Sequence, residues 1–271
     1  MKPETRTNLN RARTNLGKCA AKVSARQTAV RPLNGDEQQM LIGYGTARDW
    51  VRWGAALSDL SFSTKSEGRS SRAQGITESV RFNLLWTATN ALFARDSILS
   101  LASSSGPSLE RVKESDAKRF EVLYRFAGLA PAVESTCLDA LNSLLSMECQ
   151  TGGVQGELKA DGTPTMWEVI YHKYMRSEDR RRGIGKIIAH ALDGARRRNA
   201  RFAPGGRVDN PPPAATGPTL VYAARNWAVH GMLLTSFFRG SRQKYIRFIE
   251  NITLLLSAVL DGAAQNFLRG L

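Results

Sequence analysis

The sequence predicts an all-α fold, a bundle of antiparallel helices around one core. Apolar residues recur at helical spacing through most long segments. Glycine, proline and Ser/Thr signals fall between those segments, where helices stop and start. Strand-like patterning is confined to one short stretch, MWEVIYHKYM from Met166, which reads equally as helix.

Residues 1–34 read as a flexible basic arm. They hold Arg, Lys, Asn and Thr without sustained apolar periodicity and end at Pro32-Leu33-Asn34-Gly35, an arm suited to touching a phosphate backbone. Residues 35–271 read as a single helical domain. Its first helix starts at Asp36, with Leu41, Trp50, Trp53 and Leu57 recurring at helical spacing. A polar loop, 63–75, follows. Thr77 then reads as the N-cap of a long helix reaching about 102, broken by SSSGPS. The next helix runs from Leu109 to about Gly128, where the glycine and Pro131 supply the stop. Another starts at Pro131, tolerated in a first turn.

Two excursions interrupt the bundle, at about 151–176 and 200–218. The first opens glycine-rich. Between them EDRRRGIGKIIAHALDGARRRN reads as a helix with basic ends. The second is NARFAPGGRVDNPPPAATGP, too rich in proline and glycine for a helix or central strand. Together they make a loop-rich insertion before the last two helices, TLVYAARNWAVHGMLLTSFF and SRQKYIRFIENITLLLSAVLDGAAQNFL.

Composition narrows the function classes. With 42% hydrophobic residues the 271-residue chain has material for a core, which excludes wholesale disorder. A formal net charge of +14, its basic excess mostly arginine, points to a polyanionic partner, nucleic acid first and an anionic membrane surface second. The three cysteines, Cys19, Cys137 and Cys149, have no CxxC spacing. They argue against a disulfide framework or zinc site and for a reducing compartment. No stretch reaches transmembrane length without charge and no signal-peptide core is present, so no membrane and a cytoplasmic location are expected.

The chemistry-bearing stretch is RNWAVHG, 225–231, in a chain with three histidines. On a helix Asn226 and His230 lie one above the other, and Arg225 is offset from His230 by about 140°, within reach of its long stem. Those groups suffice to cleave RNA with no metal or cofactor. A histidine takes the proton of a ribose 2′-OH or gives one to the leaving 5′ oxygen. An arginine neutralises the charge that builds on the phosphate, and the amide orients either partner. The nucleophile belongs to the substrate, so DNA would be inert. The plainer alternative is a histidine hydrogen-bonded at a helix surface in an arginine-rich chain.

Arg-Asn-x-x-x-His-Gly opening the penultimate helix, before a long apolar final helix, resembles the HEPN superfamily. Its ribonucleases carry an arginine and a histidine four to six residues apart, often with asparagine directly after the arginine. The resemblance rests on 218–271, with looser support from the helix at 77–102. It implies a HEPN-like bundle, a homodimer with two motifs facing across a composite site, and metal-independent cleavage. Arg225, Asn226 and His230 would be catalytic. It also implies a toxin or phage-defence role with a restraining antitoxin or other defence-system partner. Many relatives use a further polar or acidic residue on an earlier helix, for which Asn90 and Asp96 are the candidates here.

Arg180, Arg181 and Arg182, with Arg196, Arg197, Arg198, Arg201 and Arg207, read either as solvated helix ends or as a patch tracking an RNA backbone. Arg182-Gly183-Ile184-Gly185, read with the arginines before it, also looks like the pyrophosphate loop of GNAT acetyltransferases. That fold needs strands before the loop, where 77–150 reads as helices. A non-catalytic HEPN-like RNA-binding, antitoxin or scaffold protein is the other alternative. His172 and His190 read as packed or surface histidines, and Trp50, Trp53, Trp86 and Trp167 as core residues.

Overall fold

The computed structural model describes residues 1–28, 31–57, 69–103, 115–129, 131–147, 216–229 and 242–271. Among these the regular structure is entirely helical: α1 (Pro3–Ser24), α2 (Gly35–Ala56), α3 (Arg69–Phe93), α4 (Asp96–Ser103), α5 (Asp116–Ala127), α6 (Pro131–Leu145), α7 (Thr216–Val229) and α8 (Arg242–Gly270). The all-α expectation therefore holds for the described residues. The excursion at 151–176, the basic segment after it and the second excursion up to 215 lie outside them.

The chain divides into two compact units. The first comprises residues 1–58, 80–133 and 253–271, and the second 59–79 and 134–252.

In the first unit the expected flexible arm is instead helix α1, with Pro3 at its first position. Leu9, Leu16 and Val23, seven residues apart, are fully buried together with Ala12 and Cys19. Its polar positions also bind inward. Asn8 donates to Ser257 at 3.2 Å, and Lys22 reaches the Leu268 carbonyl at 3.1 Å. An arm with a buried heptad stripe and side-chain ties to α8 has a core to join.

Helix α2 starts with a capping box. Asn34 accepts from the Glu37 amide at 2.8 Å, and the Glu37 carboxylate accepts from the Asn34 amide at 3.1 Å. Its buried stripe is Tyr44, Ala47 and Val51 rather than the expected Leu41, Trp50, Trp53 and Leu57. Gly43 and Gly54 explain the rotation. A Cβ at Gly43 would lie 2.4 Å from the Ile98 side chain, and one at Gly54 2.9 Å from Leu85. These two glycines let α3 and α4 press against that face, which turns Trp53 to solvent, 59% exposed.

Arg81 closes the other end of α2, buried and donating to the Gly54 and Leu57 carbonyls at 3.0 and 2.6 Å. These carbonyls are among those a helix C-terminus leaves unsatisfied. Trp86, Phe93, Phe120 and Tyr124 form an aromatic cluster with neighbouring ring centroids 5.1–6.2 Å apart. Trp86 is thus a core residue, as the sequence suggests. Gly128, at φ 59°, ends α5 in the left-handed conformation that its residue type permits.

Thr77 does not cap a helix, because α3 begins at Arg69 and runs through it to Phe93. The chain then restarts as α4 at Asp96.

In the second unit, α7 buries Leu220, Val221 and Ala224, and α8 contributes Tyr245, Ile246, Phe248 and Ile249. Helix α7 takes in Thr216, Gly217 and Pro218, the end of the stretch expected to be loop, with the proline in its first turn. The Tyr245 ring lies against Gly75, where an added Cβ would be 3.3 Å away, and its hydroxyl pairs with Ser79. Gln74 donates to Glu250 at 3.0 Å.

Candidate functional site

Arg225 sits three-quarters of the way along α7, in the second unit. Leu220, Val221 and Ala224 define the buried stripe of that helix. At about 100° per residue, Arg225 falls at the edge of the stripe. It is accordingly half-buried. Its guanidinium carbon lies 5.8 Å from the centroid of the Tyr222 ring, one turn earlier. A cation held against an aromatic face keeps its charge and loses rotamer freedom. Tyr222 thus contributes to holding the Arg225 side chain, a contact that sequence reasoning missed. An aromatic three residues before the motif arginine was the available signal.

Asn226 follows Arg225 on the same helix, which ends at Val229. Its side chain and the whole of His230 lie outside the described residues. So do Arg180, Arg181, Arg182, Arg196, Arg197 and Arg198, and with them the glycine loop of the acetyltransferase alternative. That alternative also needs strands before its loop, and the described residues of 77–147 are helices α3 to α6 with the connections between them.

The two auxiliary candidates belong to the first unit. Asn90 is exposed on α3. Asp96 opens α4 and pairs with Arg119 at 2.8 Å, which also donates to the Phe93 carbonyl at 3.1 Å. Asp96 thus has a structural task, joining the α3–α4 break to α5.

Elsewhere in the first unit, an open groove of about 530 Å³ is lined by Asn10, Arg11, Thr14, Asn15 and Gln265. It holds none of the motif residues. Among the described residues no three His, Cys, Asp or Glu side chains gather to hold a metal ion, and no helix is long and apolar enough to cross a membrane.

Comparison with known proteins adds no family: no family model matches the chain, and searches of curated proteins and of solved structures find no significant match.

Proposed function

We propose that this protein is a metal-independent endoribonuclease of HEPN type, acting as a homodimer and serving as a toxin or phage-defence effector. The observation that carries the reading is the Arg225-Asn226-x-x-x-His230 spacing in the sequence, with Arg225 and Asn226 on α7, ahead of the long helix α8. The cation–π contact of Arg225 with Tyr222 supports it, since a transition-state cation works best when it is held in place.

In this reading His230 moves the proton. As base it takes the 2′-OH proton while O2′ attacks the adjacent phosphorus. As acid it protonates the departing 5′ oxygen, leaving a 2′,3′-cyclic phosphate. Arg225 holds the non-bridging oxygens, and Asn226 orients the imidazole or the phosphate. One subunit offers one motif histidine, so two-fold pairing would supply separate acid and base. RNA is the substrate, and an antitoxin or defence-system protein would restrain the enzyme.

End-mapping tests the chemistry. End-labelled RNA incubated in excess EDTA should give cyclic-phosphate or 3′-phosphate ends, and a single 2′-deoxy substitution 5′ of the cut should block that cut. Cleavage through the deoxy position, or loss of all activity in EDTA with recovery on adding magnesium, would refute the mechanism.

A further inference from the structure

The α1–α2 hairpin presents a basic surface, remote in sequence from RNWAVHG. Arg26 lies near Glu37 at the loop end, and the Arg48 stem lies 3.6 Å from where a Cβ on Gly17 would be. The two helices therefore run antiparallel, and the residues one turn before Gly17 sit level with those one turn after Arg48. On α1, Arg6 and Arg13 share the Gly17 edge, seven residues apart. On α2, Arg52 lies one turn beyond Arg48 and is exposed like it. All three arginines are exposed, and none of them pairs with an acid among the described residues. Arg48 is different, since it donates to Asp49 from two nitrogens at 3.1 Å.

The row ends on Trp53. The residue is 59% exposed, and the Arg52 guanidinium carbon stands 5.7 Å from its ring centroid. Close packing at Gly43 and Gly54 turns Trp53 outward, and leaving a tryptophan that far in water forfeits a large hydrophobic gain. Arginines that match phosphate geometry beside an open indole face are what a single-stranded polynucleotide needs: charge for the backbone and a π-surface for a base. A lipid surface would call for a broader apolar face, but Asp49 and Thr46 separate Trp53 from Ile42, the other exposed large apolar residue of α2.

We propose that this face binds single-stranded nucleic acid, with Arg6, Arg13 and Arg52 on successive phosphates and Trp53 stacked on a base. The proposal does not depend on the ribonuclease reading, and its test uses a strand that 2′-OH chemistry cannot cut.

The full-length protein is titrated against a fluorescein-labelled oligo-dT of about fifteen nucleotides, followed by anisotropy between about 50 and 200 mM salt. Wild type should bind with a falling log–log salt dependence. Arg13→Ala with Arg52→Ala should lower that slope by about 1.4, or roughly 0.7 for each phosphate no longer neutralised. Trp53→Ala should weaken binding about 5- to 100-fold with little change in slope, and Trp53→Phe should retain most of the affinity. Because Trp53 is exposed, the thermal unfolding of Trp53→Ala should match wild type. Wild-type affinity in Trp53→Ala, or no binding by wild type at the lowest salt, would overturn the proposal. So would a Trp53→Ala that binds normally but changes its mass in solution, which would assign the face to a second copy.

Discussion

Arg11 Nη2 lies 2.7 Å from Asp261 Oδ2, and Arg11 Nε donates to the same oxygen at 2.8 Å. The arginine is more than half exposed, whereas the aspartate side chain is 5% exposed. Gln265 donates to the other carboxylate oxygen at 3.0 Å, and Asn8 accepts from Arg11 at 3.0 Å. One buried carboxylate thus ties α1 to α8, the first helix of the chain to the last. Arg11→Ala should lower stability by about 1–3 kcal/mol, because it leaves a buried carboxylate without its charged donor. Asp261→Ala should cost less, under about 1 kcal/mol, since the arginine it releases already faces solvent and rehydrates. Urea midpoints of the two variants measure the asymmetry, and equal losses would contradict it.

Helix α1 also carries a share of the core. Leu16 is fully buried, and its replacement by alanine should cost about 2–5 kcal/mol, as for other large-to-small core changes. A flexible arm would show no such cost. Chemical denaturation of Leu16→Ala separates the two cases, and an unchanged midpoint would return residues 1–34 to the status of a tail.

Gly262 on α8 sits against the end of α5. An added Cβ would lie 2.3 Å from the Ala127 carbonyl oxygen, a backbone atom that cannot swing away. Glycine to alanine normally gains about 1 kcal/mol within a helix. Here overpacking should reverse the sign, giving a net loss of about 1–3 kcal/mol. A stabilised Gly262→Ala would show that the two helices do not approach so closely.

Acid should expose the capping box of α2. The Glu37 carboxyl is held below its ordinary value by the Asn34 amide that donates to it, and further by Arg31 and Arg26. A depressed carboxyl stabilises the fold above its unfolded value, about 4.3, and that contribution is lost as pH falls through the lowered folded value. The urea midpoint of wild type should therefore fall more steeply than that of Glu37→Gln below about pH 4.3. Parallel curves would rule out this role. At the alkaline end, burial pushes the Cys19 thiol up to about 11, so its contribution is present below the ordinary thiol range and lost as pH rises through the folded value.

How much was legible in the sequence depended on which residues form the stripe. Helices α5 and α6 were legible because Gly128 and Pro131 mark their ends, and α8 because its apolar face is continuous. Helix α1 was not, because only Leu9, Leu16 and Val23 are large and apolar in its stripe. Thr5, Asn8, Ala12 and Cys19 fill other buried positions of the stripe, while Arg, Lys, Thr and Asn make up half of the helix. Trp53 misled for the opposite reason. Tryptophan counts as apolar in any periodicity, yet Gly43 and Gly54 set which face of α2 goes inward through close helix approach, which periodicity does not register. At the candidate site the sequence supplied the Arg-Asn-His spacing, and the fold added Tyr222 beneath Arg225. The roles of Asn226 and His230 still rest on that spacing and on the HEPN resemblance.

If His230 moves the proton in the proposed reaction, its replacement by alanine should all but stop RNA cleavage. Wild type and variant, matched by circular dichroism and urea midpoint, are incubated with the same end-labelled RNA in excess EDTA. Loss of one positioned acid–base group predicts a drop of at least about 100-fold, with RNA binding retained. Cleavage by His230→Ala at the wild-type rate would exclude His230 as the acid–base group.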